Sequence, residues 1–148
     1  MKGDTDGYTE LEILAATLVG EDDTSELTMT EVACVILNRR AANKHWLGGT
    51  DVRDICLFPY QFSCWNDTPG NKDRQRIISI LRNDPHNPTF VLALRIAGDA
   101  IAGRLVDCVN NAVSYINHVE CAPGWARGKT PIYINEPNWF YNLQQIEA

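Results

Sequence analysis

Four carboxylates fall close together near the amino end: Glu21, Asp22 and Asp23 in a row, with Glu26 shortly after. Glu21 follows directly on Gly20, a residue type that commonly ends helices. The carboxyl end of a helix carries partial negative charge and disfavours an added anion. Side-by-side carboxylates also repel one another, and both effects favour the protonated form. A carboxylic acid that keeps its proton near working pH is what general-acid catalysis requires. A solvated acidic loop would have the same composition, so these residues alone leave two readings open.

Other chemistries find less support. His45, His86 and His118 are far apart, and no two share a helical face. His118 with Cys121 makes half of a zinc set, and the remaining ligands are not apparent. No cofactor is expected. There is no Gly-rich loop ending in Lys-Ser or Lys-Thr to cradle a phosphate. A Cys64–His118 nucleophile pair needs spatial contact; a buried or disulfide-bonded Cys64 is the simpler account.

Aromatic residues gather in the segments that lack helical periodicity: Tyr60, Phe62, Trp65, Tyr115, Trp125, Trp139 and Tyr141. Trp and Tyr offer flat apolar faces with a polar edge, which suits the C–H faces of sugar rings. Phe62 and Trp139 also read as plain core. Trp65 and Trp125, in polar loops, fit a groove wall and core packing equally well.

The elements that must position these groups follow from the spacing of apolar residues. Thr9 and Glu12 form a capping box for a helix over 10–20, with Leu11, Leu14, Ala15 and Leu18 as its stripe and Gly20 as its stop. Thr28 and Glu31 suggest a second box, opening a helix over about 29–43 with Met29, Val32, Ala33, Ile36 and Leu37 facing the core. Asp51 caps a short helix over Val52 to Cys56. Leu57 to Trp65 reads as an ordered loop. A third main helix covers Asp73 to Arg82, and Asn87 caps a fourth with Pro88 at its first position and Gly103 beyond its end. Ala112 to Ile116 reads as extended. Pro131–Ile134 and Trp139–Tyr141 flank Asn135-Glu136-Pro137-Asn138 as a hairpin. Residues 1–7 read as a frayed start. The fold class is therefore mainly α (α+β), with four main helices and a small β-rich piece near the carboxyl end, in one domain over 1–148.

Bulk properties narrow the function. The chain has 148 residues and a net charge of −6, from 13 basic and 19 acidic side chains. With no basic block, nucleic acid is not the expected partner. No apolar run is long enough to span a bilayer, so membrane insertion is not expected. Met1 to Gly7 lacks the apolar core of a secretion signal. Of five cysteines, Cys34 lies on an apolar helix face and reads as a small buried hydrophobe, while Cys56, Cys64, Cys108 and Cys121 have the option of pairing in an oxidising space.

Several stretches, taken in order, resemble the SleB-type cell-wall hydrolases, which include spore cortex-lytic enzymes and phage relatives. Gln61-Phe62-Ser63-Cys64-Trp65 repeats that family's signature loop. Val35-Ile36-Leu37-Asn38-Arg39 is similar to its helix ending in Leu-Asn-Arg, and Gly20-Glu21 to its Gly-Glu. Ala112 to Asn117, Pro123 to Ala126 and Trp139-Phe140-Tyr141 resemble its later Tyr, Trp and Phe-Tyr segments. The likeness covers about residues 12–141. It implies a lysozyme-like helical domain with a small C-terminal β-hairpin, cleaving the MurNAc-GlcNAc β-1,4 bond of peptidoglycan as a lytic transglycosylase. It carries the catalytic acid to Glu21 and the family's second Glu to Glu26. Gln61 and Ser63 are then expected to hold N-acetyl or hydroxyl groups, and Trp65, Tyr115 and Trp125 to stack on sugars. The expected partner is the glycan strand, met by a monomer. Release through holin pores, as a phage endolysin, is the expected route from cytoplasm to wall. An amidase cutting the MurNAc–L-Ala bond and a non-catalytic glycan-binding domain are the competing readings.

Overall fold

The computed structural model describes residues 3–147. Six helices run in the order α1 (Glu10–Asp22), α2 (Glu26–Ala42), α3 (Val52–Leu57), α4 (Lys72–Asn83), α5 (Pro88–Ile101) and α6 (Leu143–Glu147). Three strands, β1 (Ser114–Asn117), β2 (Tyr133–Asn135) and β3 (Asn138–Tyr141), form a small antiparallel sheet. The mainly α class with a minor β part is as the sequence predicts. The sheet is larger than the expected hairpin, because β1 joins it in the order β1-β3-β2.

Helix α1 is the hub. Residues 13–20 are all buried, so it is enclosed on every side and has no polar face. It packs against α2, α3, α4, α5 and the 3-10 turn Ser63–Trp65. The Thr9–Glu12 box caps it as predicted. Its end differs from expectation: the helix continues through Gly20 to Asp22. Gly20 serves close packing instead. A Cβ there would lie 2.7 Å from Cys64 Cβ and 2.9 Å from Cys64 Sγ.

Helix α2 starts earlier than predicted. Ser25 is the N-cap and Thr28 closes a box with it. The displaced Glu31 becomes a helical residue on a second buried face, with Cys34, Val35 and Asn38 at helical spacing. That face meets a separate small core of Val109, Ala112 and Phe140, flanked by Tyr115 and Tyr133. The amino end is also less loose than the sequence suggests. Among the described residues, Asp4 bridges Arg74 and Arg82, and Arg53 donates to the Thr5 and Tyr8 carbonyls.

Register decides which strand residues face the helices. Tyr115 and Tyr133 both lie opposite Phe140, and Asn117 and Asn135 both lie opposite Asn138. Side chains alternate along a strand, so these six share one face. The rings confirm it: the centroids of Tyr115 and Tyr133 lie 5.4 and 5.2 Å from that of Phe140.

Gly20→Ala is expected to destabilise the protein by about 1–3 kcal/mol, because neither α1 nor the 63–65 turn can retreat freely. Urea denaturation checks this; an unchanged midpoint would mean that the approach is not tight.

Candidate active site

Thr17, Gly20 and Glu21 recur at i, i+3 and i+4, so they form one face of α1. Each meets the signature loop. The Trp65 indole Nε1–H donates to Thr17 Oγ1 at 2.8 Å. Gly20 admits the Cys64 side chain. The Cys64 backbone N–H donates to Glu21 Oε2 at 3.1 Å. From the sheet's inner face, the Tyr115 hydroxyl donates to Glu21 Oε1 at 2.7 Å. Glu21 is thus held by donors from two separate parts of the chain, one on each carboxyl oxygen.

These two donors are not equivalent. A backbone N–H can only donate, so Oε2 remains an acceptor in every protonation state. A hydroxyl donates and accepts, so Tyr115 tolerates a proton on Oε1. Oε1 is therefore the oxygen whose partner is able both to donate and to accept. Burial of Tyr115, then the charge of Glu21, pushes its hydroxyl well above its ordinary value, so it stays a neutral partner.

The neighbouring acids are not a free row. Asp22 accepts from Asn138 Nδ2 at 2.9 Å and from the Thr24 N–H at 3.1 Å. Asp23 pairs with Arg76 at 2.8 Å, and the same guanidinium donates to the Val19 carbonyl at 3.0 Å. A cation thus sits at the negative end of α1, supplied by α4. The sequence expectation of mutual repulsion counted the acids and missed these partners.

Glu21 opens onto a groove of about 690 Å³. Gln61, Ser63, Tyr115 and Trp125, named from the sequence as sugar-contacting candidates, line the same groove. Two expected residues do not. Glu26 lies in the first turn of α2, exposed, and forms an ion pair with Arg95 on α5. The early start of α2 turns it away from Glu21. Trp65 packs against the main core, and its one polar atom is taken by Thr17. It anchors the loop and forms no part of the groove lining.

Arg39 is the main residue that the sequence reading left without a role. Only 4% exposed, it lies at the groove between α2, the signature loop and β1. Its Nε–H donates to the Val113 carbonyl at 2.6 Å and its Nη1 to Gln61 Oε1 at 3.1 Å, while the guanidinium covers the Phe62 ring at 4.8 Å. Burial pulls it down to about 10, which leaves it charged at neutral pH. The available signal was Leu-Asn-Arg, where an Arg ends an otherwise apolar run. Glu31 was read from the sequence as a capping-box partner, a place that Thr28 takes instead. Only 1% exposed, Glu31 accepts from Asn135 Nδ2 at 2.7 Å and from the Tyr133 hydroxyl.

Cysteine chemistry has a poor setting here. Cys64 is 1% exposed, and burial followed by the charge of Glu21 pushes its thiol far up. Among the described residues, no three His, Cys, Asp or Glu side chains are placed to hold a metal ion.

A carboxyl side chain held by two donors opens onto a groove beside amide, hydroxyl and aromatic groups, an arrangement suited to acid–base chemistry. The chain belongs to the Cell Wall Hydrolase family, which it matches over residues 23–141. Its general function is therefore the degradation of cell-wall peptidoglycan. The matched span begins just after Glu21, so the place of that residue rests on the geometry above. No curated protein and no solved structure gives a significant match to the chain.

Tyr115→Phe deletes one donor to Glu21 while keeping the ring against Phe140. Hydrogen bonds to charged groups are worth about 1.5–3 kcal/mol, so the rate of peptidoglycan lysis should fall roughly 10- to 100-fold with the circular dichroism spectrum retained. A rate within twofold of the parent would show that Tyr115 does not orient Glu21.

Proposed function

We propose that the protein is a peptidoglycan glycosidase that cleaves the MurNAc-GlcNAc β-1,4 bond as a lytic transglycosylase, with Glu21 as its acid and base. The observation that carries this reading is the two-donor clamp on Glu21 at the groove floor. Glu21 as acid gives a proton to the leaving glycosidic oxygen. The resulting carboxylate then takes the proton from the MurNAc C6 hydroxyl, which attacks the anomeric carbon and closes a 1,6-anhydro ring. The substrate's N-acetyl group assists in place of a second protein carboxylate. Of the other acids lining the groove, Asp22, Asp73 and Glu120, Asp22 has both its oxygens engaged by Asn138 and Thr24.

In this reading Gln61 and Ser63 hold polar groups of the glycan. Arg39 keeps the Gln61 amide turned so that its N–H₂ is free to donate. Trp125, 37% exposed and braced edge-on against Tyr141 at 5.2 Å, offers a face for stacking. Tyr60 at the rim is 83% exposed and sits in left-handed backbone with φ 64°. A non-glycine residue in that region is uncommon and is concentrated at functional sites. The site of action is the wall outside the cytoplasm, reached as a phage-type lysin through a holin pore.

Glu21→Gln should keep the fold and abolish the clearing of cell-wall suspensions. Clearing at the parent rate would remove Glu21 from the mechanism. Mass spectrometry of the soluble products should find anhydro-MurNAc ends. Ordinary reducing ends would make the enzyme a hydrolase, and released stem peptides would make it an amidase. Binding of insoluble wall with no soluble product would leave only a glycan-binding module.

A further inference from the structure

Two thiols outside the groove face each other across the seam between α2 and the segment leading into β1. Cys34 Sγ lies 3.6 Å from Cys108 Sγ. Cys34 is 2% exposed on α2, and Cys108 is partly exposed. The sequence reading set Cys34 aside as a plain hydrophobe and left Cys108 among other possible partners. We propose that Cys34 and Cys108 are a disulfide-forming pair, oxidised by a small-molecule or protein disulfide once the protein leaves a reducing compartment.

The placement favours this pair over any other. A disulfide needs sulfurs about 2.05 Å apart, so the two atoms must close by roughly 1.5 Å. Cys34 is fixed in a helix, but residues 104–108 have no regular structure and can supply the movement. The surrounding seam is already bonded. Asn38 Nδ2 donates to Asp107 Oδ1 and to the Ala112 carbonyl, each at 2.9 Å, and Arg39 holds the Val113 carbonyl. A covalent link there adds to existing contacts instead of forcing new ones. Cys56 and Cys64 are fully enclosed in the main core, where an oxidant has no entry.

The exchange runs in two balanced steps. The Cys108 thiolate, the more accessible of the two, attacks one sulfur of the oxidant R–S–S–R and releases one RS⁻. The Cys34 thiolate then attacks Cys108 Sγ, forms the internal bond and releases the second RS⁻. Two protons leave the protein, two thiols are oxidised and one external disulfide is reduced. Burial, then the neighbouring Cys34, pushes Cys108 up to about 12, so the exchange is slow at neutral pH and quickens in mild alkali. The bond would close a loop over a separation of 74 residues and fasten the strand that carries Tyr115 to the helix that carries Arg39. Its use outside the cytoplasm rests on the cell-wall reading; the chemistry does not.

The test uses the full chain, fully reduced and then held with oxidised glutathione at mild alkaline pH, followed by acid quench, denaturation, alkylation and peptide mapping. Cys34 and Cys108 should escape alkylation and appear in one cross-linked peptide, while Cys56 and Cys64 alkylate. The thermal midpoint should rise by roughly 10 °C, from the loss of unfolded-chain entropy over a loop of that length. Added reductant should reverse the rise, and Cys108→Ser, altered at the more exposed position, should show none. Full alkylation of Cys34, glutathione left on Cys108 as a mixed disulfide, or a bond between other cysteines would each overturn the proposal. None of these readouts depends on lytic activity, so failure here is separate from failure of the glycosidase reading.

Discussion

The hydrogen bond from the Cys64 amide to Glu21 exists because Gly20 has no side chain. With any Cβ at that position the 63–65 turn would stand off from α1, and the amide would lose its acceptor. Two further consequences follow from the same approach. Thr17, one turn earlier, comes within reach of the Trp65 indole, which fixes the turn from its far end. The carboxylate itself is then left pointing between the loop and the sheet, where Tyr115 completes its coordination. A small steric allowance on a buried helix thus sets the position of the Glu21 carboxyl.

Charge is distributed by the same architecture. Three acids at the negative end of a helix would be unfavourable if water were their only partner. Here each belongs to a different element. Glu21 is taken by the loop and β1, Asp22 by β3, and Asp23 by Arg76 of α4. The inner face of the sheet does much of this. Tyr115 serves Glu21, Asn138 serves Asp22, and Tyr133 with Asn135 serve the buried Glu31. The last pairing is costly to break, since a carboxylate 1% exposed would be left without donors. It therefore locks α2 to the sheet.

The sequence showed the helices because their apolar spacing and caps are local. Thr9 with Glu12, Asp51, and Asn87 before Pro88 all act where they were read. Of the residues named from the sequence, Glu21, Gln61, Ser63, Tyr115 and Trp125 line one groove. The errors have a common cause. Gly20 was read as a local stop, whereas its role depends on Cys64, which is distant in the chain. Thr28 was read as a cap, whereas Ser25 takes that place and Thr28 closes the box. Glu26 and Trp65 were assigned by type, and their partners Arg95 and Thr17 are long-range contacts. Arg39 was left without a role and Glu31 was read as a cap because buried charge is legible only when its partners are known.

The strand order has a bearing on how the centre comes into being. β3 lies between β1 and β2 yet follows both in the chain. During synthesis from the amino end, Tyr115 belongs to a strand whose neighbour has not yet been made. Helices α1 to α5 can gather around their shared core while the groove still lacks one wall. The acid acquires its second donor only when the closing strand slides into the gap. A ribosome-bound precursor thus carries Glu21 before the sheet that presents its second donor is complete.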